Sequence, residues 1–276
     1  ALAGLEQTAR GMEALWGPLP ATAPPLRVYL FRDLKQLQAM GARGYSRGFF
    51  QSGPDYDSIA AVGGEPDSER AVRHEYIHRV LHRSARRIPQ WLEEGLAELY
   101  STLARDGERW LVGRPVRSHV AALRQRNWAS FEELERMHED PSLWLSEDRV
   151  ARFYGQSWAL AHYLAVGSER AERFPALMRR LMDGEPPAQA LEAEYGEGAE
   201  VLLRAARMRV ERGVMTVRRY EGPEGERWPA GPWRALSEGE TAVVLAELAV
   251  ATGDRSEDLP WLDRLRRAAP GSARAR

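Results

Sequence analysis

Two histidines four residues apart constrain this chain more than any other feature of its sequence. The segment His74-Glu75-Tyr76-Ile77-His78 has the spacing His-Glu-x-x-His. Residues i and i+4 of an α-helix lie on one face, one turn apart. The two imidazoles can therefore converge on one point beside the helix, with the Glu75 carboxyl next to them. The pattern predicts a helix that starts at Asp67 or Ser68 and continues to about Arg83.

The absence of cysteine limits what could complete a site at this point. Disulfides, thiolate ligands and cysteine nucleophiles are excluded. Two imidazoles on one helix face suit a divalent ion such as Zn²⁺, and a catalytic zinc also needs a third protein ligand and an open position. That third ligand must therefore be His, Asp or Glu.

A second predicted helix offers such a ligand in Glu94, which lies 16 residues after His78. Pro89 suits the first turn of this helix because its missing N–H costs nothing there. A turn over residues 83–88 would let the second helix run antiparallel to the first and present Glu94 to the two imidazoles. We expect Gly95 to allow close approach of these two helices. Glu98, one turn beyond Glu94, is expected to accept the free ring N–H of a ligand histidine.

A third ligand from the first helix is disfavoured. His82 lies one turn past His78, but ligands along one straight helix spread by about 6 Å every four residues. Metzincins carry Gly three residues and His six residues after the second His. This chain has Leu81 and Ser84 at those positions, so it does not fit that class.

The two helices together resemble those of the gluzincin peptidases. The His-Glu-x-x-His segment followed by Trp91-Leu-Glu-Glu-Gly-Leu-Ala97 is similar to the aminopeptidase-like, peptidase MA group, which has a Trp-Leu-x-Glu-Gly-x-Ala helix. The resemblance covers about residues 26–182. It implies that Glu94 is the third ligand, and Glu98 is similar in position to an outer acid of thermolysin-like enzymes. The spacing from His78 to Glu94 is a few residues shorter than in the best-known members, so the connecting loop is expected to differ.

The resemblance implies a zinc metallopeptidase. His74, His78 and Glu94 would hold Zn²⁺, which lowers the pKa of water from about 15.7 toward about 7. Glu75 would be the general base that takes the proton of the water and delivers it to the leaving amine. In the related aminopeptidases a Tyr downstream of the Glu helix steadies the oxyanion, and Tyr154 matches that place.

Other side chains could share these roles or belong to the core. Tyr154 can equally pack with Trp158 as an amphipathic core residue, since buried Tyr is common. His138 and His162 are lesser candidates for the oxyanion role, each more typical of an ordinary, partly exposed histidine. Three aromatic residues in helical patterns are predicted to be core residues: Trp110, Trp128 and Trp144.

A short predicted strand at residues 58–62 precedes the His helix. In gluzincins the edge strand before this helix pairs with the substrate backbone, and side pockets then add specificity. The resemblance therefore makes Ile59, Ala60 and Ala61 candidate substrate-binding residues. Phe49 and Phe50 could line a side pocket, although a core position is the preferred interpretation.

The predicted fold class is α+β, and the resemblance implies a thermolysin-like zincin domain with a small mixed sheet over the His helix and a helical lower half. We expect an upper subdomain at residues 1–105 with the sheet and both site helices, and a helical lower subdomain at 106–212. Residues 213–276 are predicted to form a linker, at about 222–232, and a helical hairpin, at 238–252 and 259–269. That hairpin resembles a single tetratricopeptide unit.

The composition limits the classes of partner that we expect for this chain. The formal net charge of −1 gives no support for a nucleic-acid partner. No window of about 18 apolar residues predicts a transmembrane segment. The expected partner is a peptide or protein substrate, with a second protein partner for the C-terminal helices because one hairpin cannot bury its apolar face alone. Ala1 and the habit of the resembled family predict an extracytoplasmic location, periplasmic or secreted, in a bacterium.

Two other functions stay open at this point. The first is a catalytically silent homologue that binds protein through its C-terminal helices, although Glu75 and all three ligands are intact. The second is a purely structural zinc site, which predicts a fourth protein ligand and unfolding on chelation.

Overall fold

The computed structural model describes residues 2–38, 42, 46–64, 67–84, 88–124, 127–221 and 234–251. It has α+β architecture, as predicted, with helices and small sheets. The described strands are β1 (Leu26–Phe31), β2 (Gly48–Gln51), β3 (Asp57–Val62), β4 (Ala104–Asp106), β5 (Arg109–Val112) and β6 (Arg218–Glu221). The described α-helices are α1 (Leu2–Trp16), α2 (Leu34–Gln38), α3 (Ser68–Ser84), α4 (Gln90–Ser101), α5 (Arg117–Arg124), α6 (Phe131–Arg136), α7 (Glu147–His162), α8 (Phe174–Met182), α9 (Pro187–Tyr195), α10 (Ala199–Arg212) and α11 (Glu238–Ala251).

The first sheet is mixed and has the strand order β1-β3-β2. β1 runs parallel to β3, with Leu26 opposite Asp57, and β2 runs antiparallel to β3, with Gly48 opposite Ala61. The small mixed sheet expected before the His helix is present. β2 was not predicted, because its four residues lie in a Gly-rich stretch that alternates too briefly to indicate a strand.

The central position of β3 overturns one prediction. Ile59, Ala60 and Ala61 were expected on an edge strand that pairs with substrate. Both edges of β3 are hydrogen-bonded to neighbouring strands, and all of its residues are buried. The backbone of β3 is therefore not available to another chain. The two edge strands of this sheet are β1 and β2, and β2 packs against α3.

The sheet is covered on both faces. Ile59 and Ala61 point into the main core with residues of α3 such as Ile77. Ala60 and Val62 point the other way, into a smaller cluster with Leu248 of α11. This alternation is the period-2 pattern of a buried strand between two layers.

α4 is the central helix of the main core. Trp91, Leu92 and Leu96 are fully buried, and α4 packs against both α3 and α7. Gly95 was expected to bring α4 close to α3, and the structure corrects this. A β-carbon on Gly95 would lie 2.3 Å from the backbone O of Ser157 on α7, closer than real β-carbons approach. The missing side chain therefore makes room for α7.

The helical lower half continues from α5 through α10. α7 passes into a π-helical turn, Tyr163–Gly167. A second sheet of order β4-β5-β6 is antiparallel, and the β4–β5 hairpin was not predicted. β6 lies beyond the subdomain boundary expected near residue 213, yet it pairs with β5. Among the described residues, no helix combines the length and apolar character needed to cross a membrane.

At the C-terminal end, α11 is confirmed as a helix. The linker predicted at residues 222–232 and the second helix of the hairpin, at 259–269, lie outside the described residues.

A buried ion cluster fastens α3 to the sheet. Asp57, the first residue of β3, is fully buried and accepts hydrogen bonds from Arg79 Nε at 2.9 Å and Arg83 Nη2 at 2.5 Å. Arg79 also donates to the backbone O of Pro24 at 2.6 Å. Burial alone would raise the pKa of Asp57, but the hydrogen bonds and charges of the two arginines lower it below its ordinary value.

We expect Asp57→Asn to lower the free energy of unfolding at pH 7 by about 3–5 kcal/mol, because two arginines lose their buried partner. The folded-state pKa of Asp57 is depressed. Its contribution is therefore complete above the unfolded-state pKa of about 3.9 and is lost as pH falls through the folded-state pKa. Urea unfolding at pH 7 and at pH 3 measures both effects, and the difference between variant and wild type should shrink at pH 3. Asp106→Asn, at an exposed position, is the control, and an equal loss in that variant would contradict the assignment.

Candidate metal centre

Three ligand atoms from α3 and α4 meet at one point. His74 Nε2 lies 3.0 Å from His78 Nε2 and 3.2 Å from Glu94 Oε2. The third side of this triangle, from His78 Nε2 to Glu94 Oε2, is 3.3 Å. All three residues are buried or nearly so. A buried group of His74, His78 and Glu94 can hold a metal ion.

The local sequence explains why these side chains meet. The 17 residues of α3 place His74 and His78 on one face, while Ile77 and Leu81 are buried in the main core on another. α4 begins directly after Pro89, which ends the connecting segment. The two helices pack against each other, so Glu94 faces the histidines as the spacing predicted.

Each histidine is held by a carboxylate at its other ring nitrogen. His74 Nδ1 lies 3.2 Å from Glu98 Oε1, and His78 Nδ1 lies 3.0 Å from Glu93 Oε1. A carboxylate beside Nδ1 favours the tautomer with the proton on that nitrogen. The lone pairs of both Nε2 atoms are therefore directed at the common point, which is the usual arrangement for metal-binding imidazoles.

Glu98 is itself fixed by two further residues. Its Oε2 lies 2.5 Å from Arg70 Nη1, one turn before His74 on α3, and 3.0 Å from His119 Nε2 on α5. The charges of His119 and Arg70 overcome the effect of burial and hold the pKa of Glu98 well below its ordinary value. Glu98 thus stays ionised at neutral pH and orients His74.

The two oxygens of the Glu94 carboxylate have different surroundings. Oε1 accepts a hydrogen bond from Gln90 Nε2 at 2.9 Å. Oε2 is buried and has no partner with hydrogen-bond geometry among the described residues. Nitrogen and carboxylate atoms this close to one another need a proton or a metal cation between them. Ligands about 2.0–2.1 Å from a tetrahedral ion lie about 3.3–3.4 Å apart, so the observed triangle, with sides of 3.0–3.3 Å, is slightly tighter than such an ion requires.

The pKa shifts of the three residues are also consistent with a site for a cation. Burial lowers the pKa of His74, but the charge of Glu98 and the contact with Glu94 outweigh it and raise that pKa to about 9. Glu94 and Glu93 likewise raise the pKa of His78 well above its ordinary value, against the effect of burial. The imidazoles in turn lower the pKa of Glu94, although burial opposes this. The centre therefore favours positive charge.

An open cleft of about 590 Å³ gives access to the centre. The edge strand β2 forms one wall with Gly48, Phe49 and Phe50, so both phenylalanines lie at the cleft. Trp144 and Tyr154, which pack against each other, also line the cleft. Trp144 and Trp128 are half-buried against the main core, and Trp110 is fully buried in it. A metal ion held by the triangle would have a free side toward the cleft.

Glu75 lines the same cleft and lies against β2. It is buried, and its carboxylate accepts a hydrogen bond from the backbone N–H of Phe50. A β-carbon on Gly48 would lie 3.1 Å from Glu75 Oε1, so glycine at that position leaves room for the carboxylate. Burial raises the pKa of Glu75 above its ordinary value, and the nearby imidazoles partly oppose this.

The candidate donors for an oxyanion separate into two groups. The Tyr154 ring centroid lies 5.9 Å from that of His74, and Tyr154 also packs beside Trp144 and Phe153, so it belongs to the cleft wall and to the edge of the core. His138 lines the cleft, and its buried Nδ1 has no hydrogen-bond partner in the described part of the chain. His162 lies elsewhere, with its Nε2 3.1 Å from the backbone O of Gly113 and of Thr216.

Two observations argue against a metal or oxyanion role for His82 and His162. His82 reaches the cleft and packs against Phe50, with ring centroids 5.8 Å apart, but it is not in the group that can hold a metal. Burial outweighs the carbonyl contacts of His162 and lowers its pKa to about 4, which is consistent with a neutral structural histidine.

Sequence reasoning missed several residues of the centre. Glu93 is adjacent to Glu94, but nothing in the sequence indicated which histidine it would contact. Arg70 precedes His74 by four residues, so helical spacing could have suggested it. Gln90, four residues before Glu94, carried the same signal. His119 comes from a helix whose position depends on the whole core, and no local pattern indicates it.

Comparison with known proteins gives a limited result. Residues 69–187 are similar to a family described as "Protein of unknown function (DUF1570)". The matched segment includes His74, Glu94 and Tyr154 but neither β2 nor α11. No curated protein matches the chain.

We expect one divalent transition-metal ion to bind per chain and to raise the melting temperature, because binding to the folded state adds stability. Glu94→Gln removes the charged ligand and should abolish stoichiometric binding. Glu98→Gln should weaken binding by about 10–100-fold through its effect on His74. Elemental analysis and calorimetric titration measure both, with Glu192→Gln at an exposed position as the control. Unchanged affinity in Glu94→Gln would exclude this centre.

Proposed function

We propose that the protein is a zinc-dependent hydrolase of peptide bonds, with a thermolysin-like, gluzincin type of centre. The observation that carries this proposal is the triangle of His74 Nε2, His78 Nε2 and Glu94 Oε2, with sides of 3.0–3.3 Å, beside the Glu75 carboxylate in an open cleft. No other group of potential metal ligands was found among the described residues.

The ligand set supports zinc. Two imidazoles and one carboxylate are the donors of known catalytic zinc sites, in which three protein ligands leave one position open. A bound zinc ion would supply Lewis-acid chemistry, polarising a carbonyl and lowering the pKa of water toward about 7. His74, His78 and Glu94 would hold the ion. Glu98 and Glu93 would keep the two imidazoles oriented.

Glu75 is placed to move the proton. Its carboxylate lies in the cleft beside the histidines, and burial raises its pKa toward the range in which a carboxylate can both accept and return a proton. The Phe50 N–H fixes one side of this carboxylate. Glu75 would take the proton of the attacking water and deliver it to the leaving amine.

β2 is the best candidate for binding the substrate backbone. The Val62 N–H donates to the backbone O of Arg47, so this pair and every second pair after it are hydrogen-bonded across β2 and β3. The Phe50 N–H is thus turned away from β3, and it meets Glu75. An extended peptide along the outer edge of β2 would lie beside the reaction centre, as in recognition by strand addition.

The developing oxyanion needs a hydrogen-bond donor in the cleft. Tyr154 is the first candidate, because its ring lies near His74 and burial raises its pKa well above the ordinary value, which keeps the hydroxyl protonated. His138 is the second candidate, since it lines the cleft and its Nδ1 has no hydrogen-bond partner among the described residues.

Two alternatives are less well supported. A structural zinc site would need a fourth protein ligand, and the group found among the described residues has three members beside an open cleft. A catalytically silent protein-binding homologue would not require the Glu75 carboxylate in that cleft. Chelation that removes the metal without unfolding the protein would argue against a structural site.

We expect Glu75→Gln to lose peptide hydrolysis by about 10²–10⁴-fold, because the proton acceptor is gone. The variant should keep its bound metal, since Glu75 is not a ligand. Digestion of a peptide library by zinc-loaded protein, read by mass spectrometry, provides the assay, with Glu192→Gln as the matched control. A wild-type protein that cleaves no peptide, or equal cleavage by Glu75→Gln, would refute the proposed function.

Tyr154→Phe separates an oxyanion donor from a core residue. The phenyl ring keeps the packing against His74 and Trp144 but has no hydroxyl. We expect kcat to fall by about 10²–10³-fold with little change in KM or melting temperature. Tyr163→Phe is the control, because Tyr163 follows α7 and does not line the cleft. A lower melting temperature with unchanged kcat would assign Tyr154 to the core alone.

A further inference from the structure

A second cavity, of about 530 Å³, lies on the face of the first sheet that is turned away from α3. Its floor includes Tyr29 of β1 and Ser58 of β3, and its roof is formed by Val244, Ala246 and Leu248 of α11. Its lining mixes apolar side chains with polar ones, among them Asp55 and Glu247, and a cavity of this size is typical of a ligand site. Nothing in the proposed reaction uses this cavity.

The two cavities meet at the end of β2. Gln51, the last residue of that strand, and Ser52 line both of them. Phe50, one residue earlier, donates its N–H to Glu75 in the reaction cleft. Since a strand rises about 3.3 Å per residue, Ser52 lies only about 7 Å along the chain from the residue that contacts the general base.

The walls of this second cavity combine rings with hydrogen-bond acceptors. Arg27 stacks on the Tyr56 ring, 3.7 Å from the guanidinium carbon to the ring centroid, and the Tyr56 hydroxyl donates to Glu247 of α11. These contacts make Tyr56 a wall of the cavity that joins the loop at residues 52–56 to α11. The buried Oε1 of Gln51 has no hydrogen-bond partner within the described ranges. An occupant with an aromatic face and an N–H or O–H donor would complement this arrangement.

We propose that this second cavity is a specificity site for an aromatic side chain with a hydrogen-bond donor, Trp or Tyr, of the peptide substrate. The inference rests on the proposed function. A peptide extended along the outer edge of β2 reaches the level of Gln51 and Ser52 two or three residues from the scissile bond, by the strand rise given above. The side chain at that position enters the second cavity under α11, so α11 contributes to substrate choice without contacting the reaction centre.

The first test measures binding without catalysis. N-acetyl-tryptophanamide is the probe, and saturation-transfer NMR detects its contact with the full-length, zinc-loaded protein. Val244→Trp fills the cavity from α11 and should abolish the signal. Leu245→Trp is the matched control, because Leu245 is half-buried on the same helix and does not line the cavity. Melting curves establish that both variants are folded.

The second test uses a peptide that the wild-type protein cleaves. Trp and Ala are placed in turn at the second and third positions on each side of the scissile bond. At one of these positions kcat/KM should be higher for Trp by about tenfold or more, the range expected for filling an apolar pocket. The preference should disappear in Val244→Trp and persist in Leu245→Trp.

The outcomes separate the two proposals. Probe binding and a positional preference that are both lost in Val244→Trp support the inference. Cleavage with no aromatic preference, or a preference that Val244→Trp retains, overturns the specificity site and leaves the hydrolase intact. Probe binding at this cavity in a protein that cleaves no peptide overturns the hydrolase, and with it the assignment of the occupant to a substrate.

Discussion

The whole site depends on the helix packing that holds three potential ligand atoms within contact distance of one another. His74 Nε2, His78 Nε2 and Glu94 Oε2 lie within 3.0–3.3 Å of one another, and helix packing fixes two of them on α3 and the third on α4. Burial of the large side chains of α4, such as Trp91, provides the hydrophobic free energy that keeps the helices in place. Core packing therefore fixes the geometry of the centre.

Two further carboxylates surround the three potential ligands. Glu93 and Glu98 each contact a histidine, and Glu98 is shared with Arg70 and His119. Ionised groups are costly to bury unless they are paired, so each outer contact lowers the cost of the inner one. The arrangement fixes the direction of both imidazoles before any ligand arrives, which is the usual condition for a well-defined metal site.

The sequence was sufficient to predict the structural elements that depend on local periodicity. The helix with His74 and His78, the helix with Glu94 and the helical character of the lower half follow from spacing and from Pro and Gly breaks. It could not predict which strand would be at the edge, because sheet order depends on long-range pairing, and so Ile59 to Ala61 were misplaced. Gly95 was recognised as a close-approach residue but assigned to the wrong neighbour, since a glycine does not indicate which helix lies above it. The contribution of His119 required the position of α5.

Gly95 has a consequence for the dimensions of the cleft beside the metal centre. It follows Glu94 directly on α4, and its missing β-carbon lets the backbone of α7 lie against α4 at Ser157 and Ala161. Tyr154 stands one turn before Ser157 on the same helix. The missing β-carbon of Gly95 therefore helps to set the width of the cleft. Even the methyl group of an alanine at position 95 would push α7 away from α4 and widen the cleft.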